Sequence, residues 1–197
     1  MIRRNLVVTG LFLLLTFCCA TLTLASVPDT STNPGKDTVL HRGRLSAVLA
    51  AEGALYFGSL GGLYFAWYNN YPQSSFHFFN DNNEWMNMDK LGHATTAYYI
   101  SMIGYNSYRW SGLSMKRATV YGGLLGMAYL LNIEILDGFS SQWGFSPGDF
   151  SANTAGCLLF MGQQLGWKEQ RFVLKYSFHP PCSPLNPIKV LTMGNPY

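Results

Sequence analysis

Long apolar runs separated by short polar breaks dominate the chain from residue 45 to residue 167. The first run, 45–68, reads LSAVLAAEGALYFGSLGGLYFAWY with Glu52 as its only charge. At about 1.5 Å per helical residue it is long enough to cross a bilayer, which takes about 20 apolar residues. Its small residues Gly53, Gly58, Gly61 and Gly62 predict a face that another helix can approach closely. Three further helices are predicted over 89–110, 116–137 and 147–167, joined by turns short enough to make neighbours antiparallel. Only 117–136 is strongly apolar; the other two carry Thr95, Thr96, Asn106, Ser151, Asn153, Gln163 and Gln164. Polar groups in hydrocarbon need partners inside the protein, so these helices do not all simply face lipid. The expected fold is all-α, an antiparallel bundle of about four apolar, partly membrane-embedded helices.

The ends of the chain read differently. MIRRNLVVTGLFLLLTFCCATLTLAS places Arg3 and Arg4 before an apolar run and sets Thr23 and Ala25 two apart, the layout of a secretory signal cleaved after Ala25. The run 6–24 is also long enough to be read as an uncleaved anchor, and export follows from either reading. Phe17 precedes Cys18 and Cys18 precedes Cys19, a poor setting for lipid attachment, which favours small residues there. The stretch 26–43 is a Ser-, Thr- and Pro-rich linker at its core, 44–177 the helical domain, and 178–197 a Pro-rich tail. Cys157 and Cys182 have no CxxC spacing and are read as separate thiols.

Composition narrows the class. Of 197 residues 48% are hydrophobic and only 12% charged, so membrane lipid is the expected partner. The net charge of +3 with scattered Lys and Arg lacks the basic stripe of a nucleic-acid binder, and no protein partner can be read from the sequence. Arg42, Arg44, Arg109, Lys116, Arg117, Lys168 and Arg171 fall at one end of the predicted bundle. By the positive-inside rule that end would be cytoplasmic, whereas the signal delivers Arg42 and Arg44 outside. Weighting the signal, we expect a bacterial cell-envelope protein, membrane-associated and on the periplasmic side.

Candidate chemistry gathers at the other end. Alternating helix directions bring together Asp89 and His93, Glu134 and Asp137, and Asp149 and Asn153, each pair three or four residues apart and able to face one way. Ser146, Pro147 and Asp149 form a capping-box-like helix start, and Asp89 suits the positive end of a helix dipole. Glu134 and Asp137 sit in a last turn, where the dipole disfavours anions, and call for compensation by His93, Lys90, the amides of 138–144 or an outside cation. The catalytic or metal-ligating candidates are therefore Asp89, His93, Glu134 and Asp149, with Lys90, Asp137 and Asn153 as binding residues. The sequence leaves the cofactor unknown, with a divalent cation as the candidate. A loop of mixed aromatic and polar residues, 69–88, with Phe76, Phe78, Phe79 and Trp85, either covers a pocket, meets a membrane interface or fills a core; His77 within it has no evident partner.

The stretches DKLGHATTAYYIS and EILDGFSSQWGFSPGDFSANTAG, with the FHFFNDNNEW loop, resemble the YfiM-like family of predicted periplasmic lipoproteins, a domain of unknown function, over about residues 58–177. More distantly, the order DK..H, E, D...N..G is similar to the VanZ-like membrane proteins, known for a link to glycopeptide-antibiotic resistance. Carried over, that order falls on Asp89, Lys90, His93, Glu134, Asp149, Asn153 and Gly156, whereas ILDGFSSQWGFS departs from the turn that usually follows the glutamate. Neither resemblance implies a reaction. The expected function is binding of a lipid head group, wall precursor or cation by the polar cluster. The alternatives are a hydrolase using His93 with carboxylates or a metal, for which Ser140, Ser141, Ser146 and Ser151 offer no GxSxG nucleophile, and a scaffold packing through Gly122, Gly123 and Gly126.

Overall fold

The computed structural model describes residues 39–66, 68–82 and 87–175. The signal or anchor, Cys18, Cys19, most of the linker, Trp85, Cys182 and the Pro-rich tail lie outside the described residues. Four α-helices follow in order: α1 (Arg42–Ala66), α2 (Met88–Trp110), α3 (Met115–Gly138) and α4 (Pro147–Gly166), with a 3-10 turn at Tyr68–Asn70. The last three match their predicted bounds to within one residue. Helix α1 begins earlier than predicted, at Arg42, because Leu45 N–H donates to His41 O at 2.9 Å and the polar first turn propagates the helix. No strand occurs among the described residues; two isolated bridges pair Gln73 with Ser140 and Phe78 with Phe145.

Glycine decides how closely the helices meet. A Cβ on Gly122 would lie 2.5 Å from Ser101 O, and one on Gly126 would lie 2.5 Å from Ser101 Oγ, so α3 presses its glycine row onto the α2 backbone. Helix α4 meets α2 in the same way, with a Cβ on Gly156 only 2.1 Å from the Ala94 carbonyl oxygen. The glycines of α3 read as a surface for outside helices are thus used inside the bundle. Conversely, Gly58, Gly61 and Gly62 of α1 have no neighbour within 4 Å, so the close-packed face expected there is open among the described residues. Gly156→Ala should force two backbones apart and lower stability by about 1–3 kcal/mol, measurable by denaturation of the purified chain in micelles.

Helix α1 leans on the others at two places. Leu45, Val48 and Leu49 pack with Tyr108, Leu113, Ala118 and Tyr121, and Tyr56 accepts from Asn132 Nδ2. Beside its apolar core the bundle buries many polar side chains and leaves large apolar ones exposed. Ser101, Thr119, Asn132, Glu134, Asn153, Gln163 and Gln164 are buried, while Leu55, Phe65, Ile103, Leu124 and Leu158 are exposed. The buried hydroxyls of Ser101 and Thr119 donate back to the carbonyls of Ala97 and Met115 at 2.7 and 2.8 Å. Gln163 is satisfied by the segment after α4, its Oε1 accepting from Phe172 N–H at 2.6 Å, and Gln164 Nε2 donates to Tyr105 OH of α2 at 2.9 Å. Helices α1 and α3 are long and apolar enough to cross a membrane. At the end away from the polar cluster, Arg44 stacks over Trp110 at 5.2 Å and Arg171 over Trp167 at 5.0 Å, pairings suited to a membrane–water interface.

Candidate functional site

The site is assembled around the start of α4. Ser146 has extended backbone, its Oγ accepts from Asp149 N–H at 3.1 Å, and Pro147 takes the first helical position. Only half of the expected capping box forms. Ser146 N–H does not turn to Asp149 but donates to Glu134 Oε2 at 3.4 Å, so a backbone amide supports the anion in the last turn of α3. Asp149 turns instead to Lys90, whose Nζ donates to Asp149 Oδ1 at 2.9 Å and to Asp81 Oδ1 at 2.7 Å. Ser146 Oγ also donates to Asp81 at 2.7 Å. Burial alone would raise the Asp81 carboxyl, but the hydrogen bonds from Lys90 and Ser146 prevail and hold it at about 2. Burial would lower the Lys90 ammonium, and its two carboxylate partners raise it instead. For Asp149 burial outweighs Lys90 and the carboxyl is pushed up.

Asp81 reaches this place because the aromatic loop is pinned to the α3–α4 turn. Ser74 N–H donates to Phe139 O, His77 N–H to Gly138 O, and Phe79 N–H and Phe145 O close a further bond at 3.0 Å. Phe76 packs edge-on against Phe139, and Phe78 against Phe145. The turn needs its glycines: a Cβ on Gly138 would strike the Phe76 ring at 2.4 Å, and one on Gly144 would strike Phe79 Cβ at 2.6 Å. Phe79 lines a cavity while Phe78 is exposed, so the loop covers a pocket and also presents an apolar edge. His77 is satisfied locally, its Nδ1 lying 3.2 Å from Ser74 Oγ.

All six converging residues meet. His93 Nδ1 lies 3.1 Å from Asn153 Oδ1 and 3.5 Å from Glu134 Oε1, and its Nε2 lies 3.8 Å from Asp89 Oδ1. Tyr68, delivered by the 3-10 turn after α1, donates its hydroxyl to Asp137 Oδ1. Asp89, His93, Glu134, Asp137 and Asp149 line a cavity of about 760 Å³, and Asn153 supports His93 from beneath. The same cavity is lined by the apolar side chains of Leu63, Leu130 and Ile133 and by the rings of Tyr68, Phe79 and Trp143. Lys90 is held in its two ion pairs and is not part of the lining. Two buried polar atoms of the cluster have no hydrogen-bond partner, Glu134 Oε1 and Asn153 Nδ2, on side chains 1% and 0% exposed. Ligand atoms of Asp89, His93 and Asp149 all lie within 4.8 Å of one another. Sequence reasoning missed Asp81, Tyr68 and Trp143; an acid in the NDNN turn upstream of Lys90 was the only available signal, and it named no partner.

An all-helical bundle with an acidic pocket at one end is the class that this fold and site define. Residues 77–161 match the family model described as "Predicted periplasmic lipoprotein (DUF2279)". The matched segment contains Asp81, Lys90 and all six converging residues, whereas α1 and Tyr68 precede it. No curated protein and no solved structure matches the chain. The family's description agrees with a membrane-associated location in the cell envelope, on the periplasmic side.

Proposed function

We propose that residues 44–177 form a membrane-embedded receptor unit whose pocket binds the polar end of an envelope amphiphile, a lipid head group or a lipid-linked wall precursor, without chemical turnover. One observation carries the reading: the cavity joins a floor of carboxylates, with Glu134 Oε1 unpartnered, to the apolar side chains of Leu63, Leu130 and Ile133. Such a shape suits a ligand with a polar head and a hydrocarbon chain. The distribution of polarity in the bundle supports partial embedding, since Leu55, Phe65, Ile103, Leu124 and Leu158 are exposed while many polar side chains are buried. The YfiM-like likeness and the more distant VanZ-like order of Asp89, Lys90, His93, Glu134, Asp149 and Asn153 support an envelope role. A hydrolase is the second reading, favoured by the imidazole of His93 standing among Asp89, Glu134 and Asn153.

The test is capture in the membrane. A photo-crosslinking amino acid at Ile133 should trap a restricted set of lipids or lipid-linked precursors, identified by mass spectrometry. The same probe at outward-facing Leu158 should trap bulk lipid. Identical adducts at both positions would overturn the pocket reading, and release of a cleaved product by the purified chain would replace it with the hydrolase.

A further inference from the structure

We propose that the floor of the pocket is a divalent-cation site in which Asp89, His93 and Asp149 supply the protein ligands. The inference rests on the pocket reading above and names what the acidic floor holds before an amphiphile arrives. Geometry is the first support. One ligand atom from each of the three residues lies within 4.8 Å of the other two, a spread that one ion can bridge with bonds of about 2.0–2.6 Å. An ion held by Asp149 would share its carboxylate with Lys90, which donates to Oδ1 at 2.9 Å.

A second, independent observation is Glu134. Its side chain is 1% exposed, it lines the same cavity, and its Oε1 has no hydrogen-bond partner. A buried carboxylate oxygen without a partner is destabilising unless something positive or donating faces it. The protein's own cations do not answer this demand. Lys90 is shared by Asp81 and Asp149, and Asp137 takes a neutral phenol, Tyr68. Asp89 and Glu134 are left with the imidazole of His93 between them, at 3.8 and 3.5 Å. His93 Nδ1 lies 3.1 Å from Asn153 Oδ1; in the tautomer that carries its proton on Nδ1 toward that oxygen, the Nε2 lone pair points to the Asp89 side. An imidazole held by an amide or carboxylate behind it and bare in front is the arrangement of a metal-bound histidine. One imidazole with two carboxylates suits an ion between hard and borderline, such as Mn²⁺.

A cation here would also offset part of the negative charge of the floor and present its own open coordination positions to a ligand. Phosphate oxygens of a lipid or wall precursor would be repelled by bare carboxylates and attracted by the ion.

The probe is Mn²⁺ itself, titrated into the full chain in micelles after chelator treatment, with free ion read from its electron paramagnetic resonance signal. We expect about one ion per chain, with affinity at least tenfold lower in Asp89→Asn and in His93→Gln. Asp89 is 51% exposed at its side chain, so Asp89→Asn should fold, and a circular dichroism melt confirms it. No binding by the wild-type chain, or equal binding by both variants, would overturn the site. Crosslinking at Ile133 is repeated in chelator to separate the two claims. Selective lipid capture with no Mn²⁺ bound removes the cation site and keeps the receptor; Mn²⁺ bound with no selective capture keeps the cation site and removes the receptor.

Discussion

Lys90→Met is expected to lower stability at neutral pH by about 3 kcal/mol, the lower end for removing one partner of a buried ion pair. Lys90 ties together the aromatic loop through Asp81, the start of α2 on which it sits, and the start of α4 through Asp149, with bonds of 2.7 and 2.9 Å. Methionine fills similar space but leaves two adjacent carboxylates, each at most 14% exposed, with no cation. The penalty should depend on pH in a definite direction. Asp81 is held at about 2, below its ordinary 3.8, so its contribution is complete above about pH 4 and is lost as pH falls toward 2. Lys90 is raised above its ordinary 10.5, so its contribution is complete below that value and is lost as pH climbs through the raised one. Denaturation at several pH values should therefore find the gap between wild type and Lys90→Met widest from neutral pH to about pH 10 and narrowing in acid, first as the raised Asp149 takes up a proton and then as Asp81 does. A gap that stays constant down to pH 2 would mean that methionine acts through packing rather than charge.

Much of this site could be read from spacing because its residues sit at helix ends. Three helices joined by short turns must alternate in direction, so placing Asp89 and His93 near Glu134, Asp137, Asp149 and Asn153 needed only the bounds of α2, α3 and α4. Those bounds were marked by Ser146 and Pro147 at one start and by apolar runs elsewhere. What could not be read were partners delivered by irregular backbone. Asp81 and Tyr68 arrive from a loop and a 3-10 turn, whose paths are set by backbone bonds between 74–79 and 138–145 and by ring packing that no periodicity encodes. Glycine was ambiguous for a related reason. Gly122 and Gly126 announce a close approach without saying to what, and Gly58, Gly61 and Gly62 announce one that the described residues do not supply. Lys90 was legible as a neighbour of the acids, but its pairing with Asp81 depends on the path of that same aromatic loop.

Glu134→Gln should separate fold from function more cleanly than any other change in the pocket. The carboxylate stands in the last turn of α3, where the helix dipole disfavours a negative charge by about 0.3–1 kcal/mol. Its Oε2 accepts Ser146 N–H at 3.4 Å, and its Oε1 has no partner. Glutamine keeps an acceptor for Ser146 and takes away any charge at the unfavourable helix end, so the melting temperature should hold or rise. Selective capture at Ile133 should nevertheless fall at least tenfold, a loss of about 1.4 kcal/mol in binding, because the ligand or its cation meets one less anion on the floor. His93→Ala should behave alike, with fold largely spared and capture lost, since His93 faces Asp89 and Glu134 rather than a packed core. Melting temperature and capture are measured together for both variants. Loss of folded protein in both, with capture falling only in proportion to it, would mean that the cluster is a buried polar network holding three helix ends together and that the pocket has no ligand of its own.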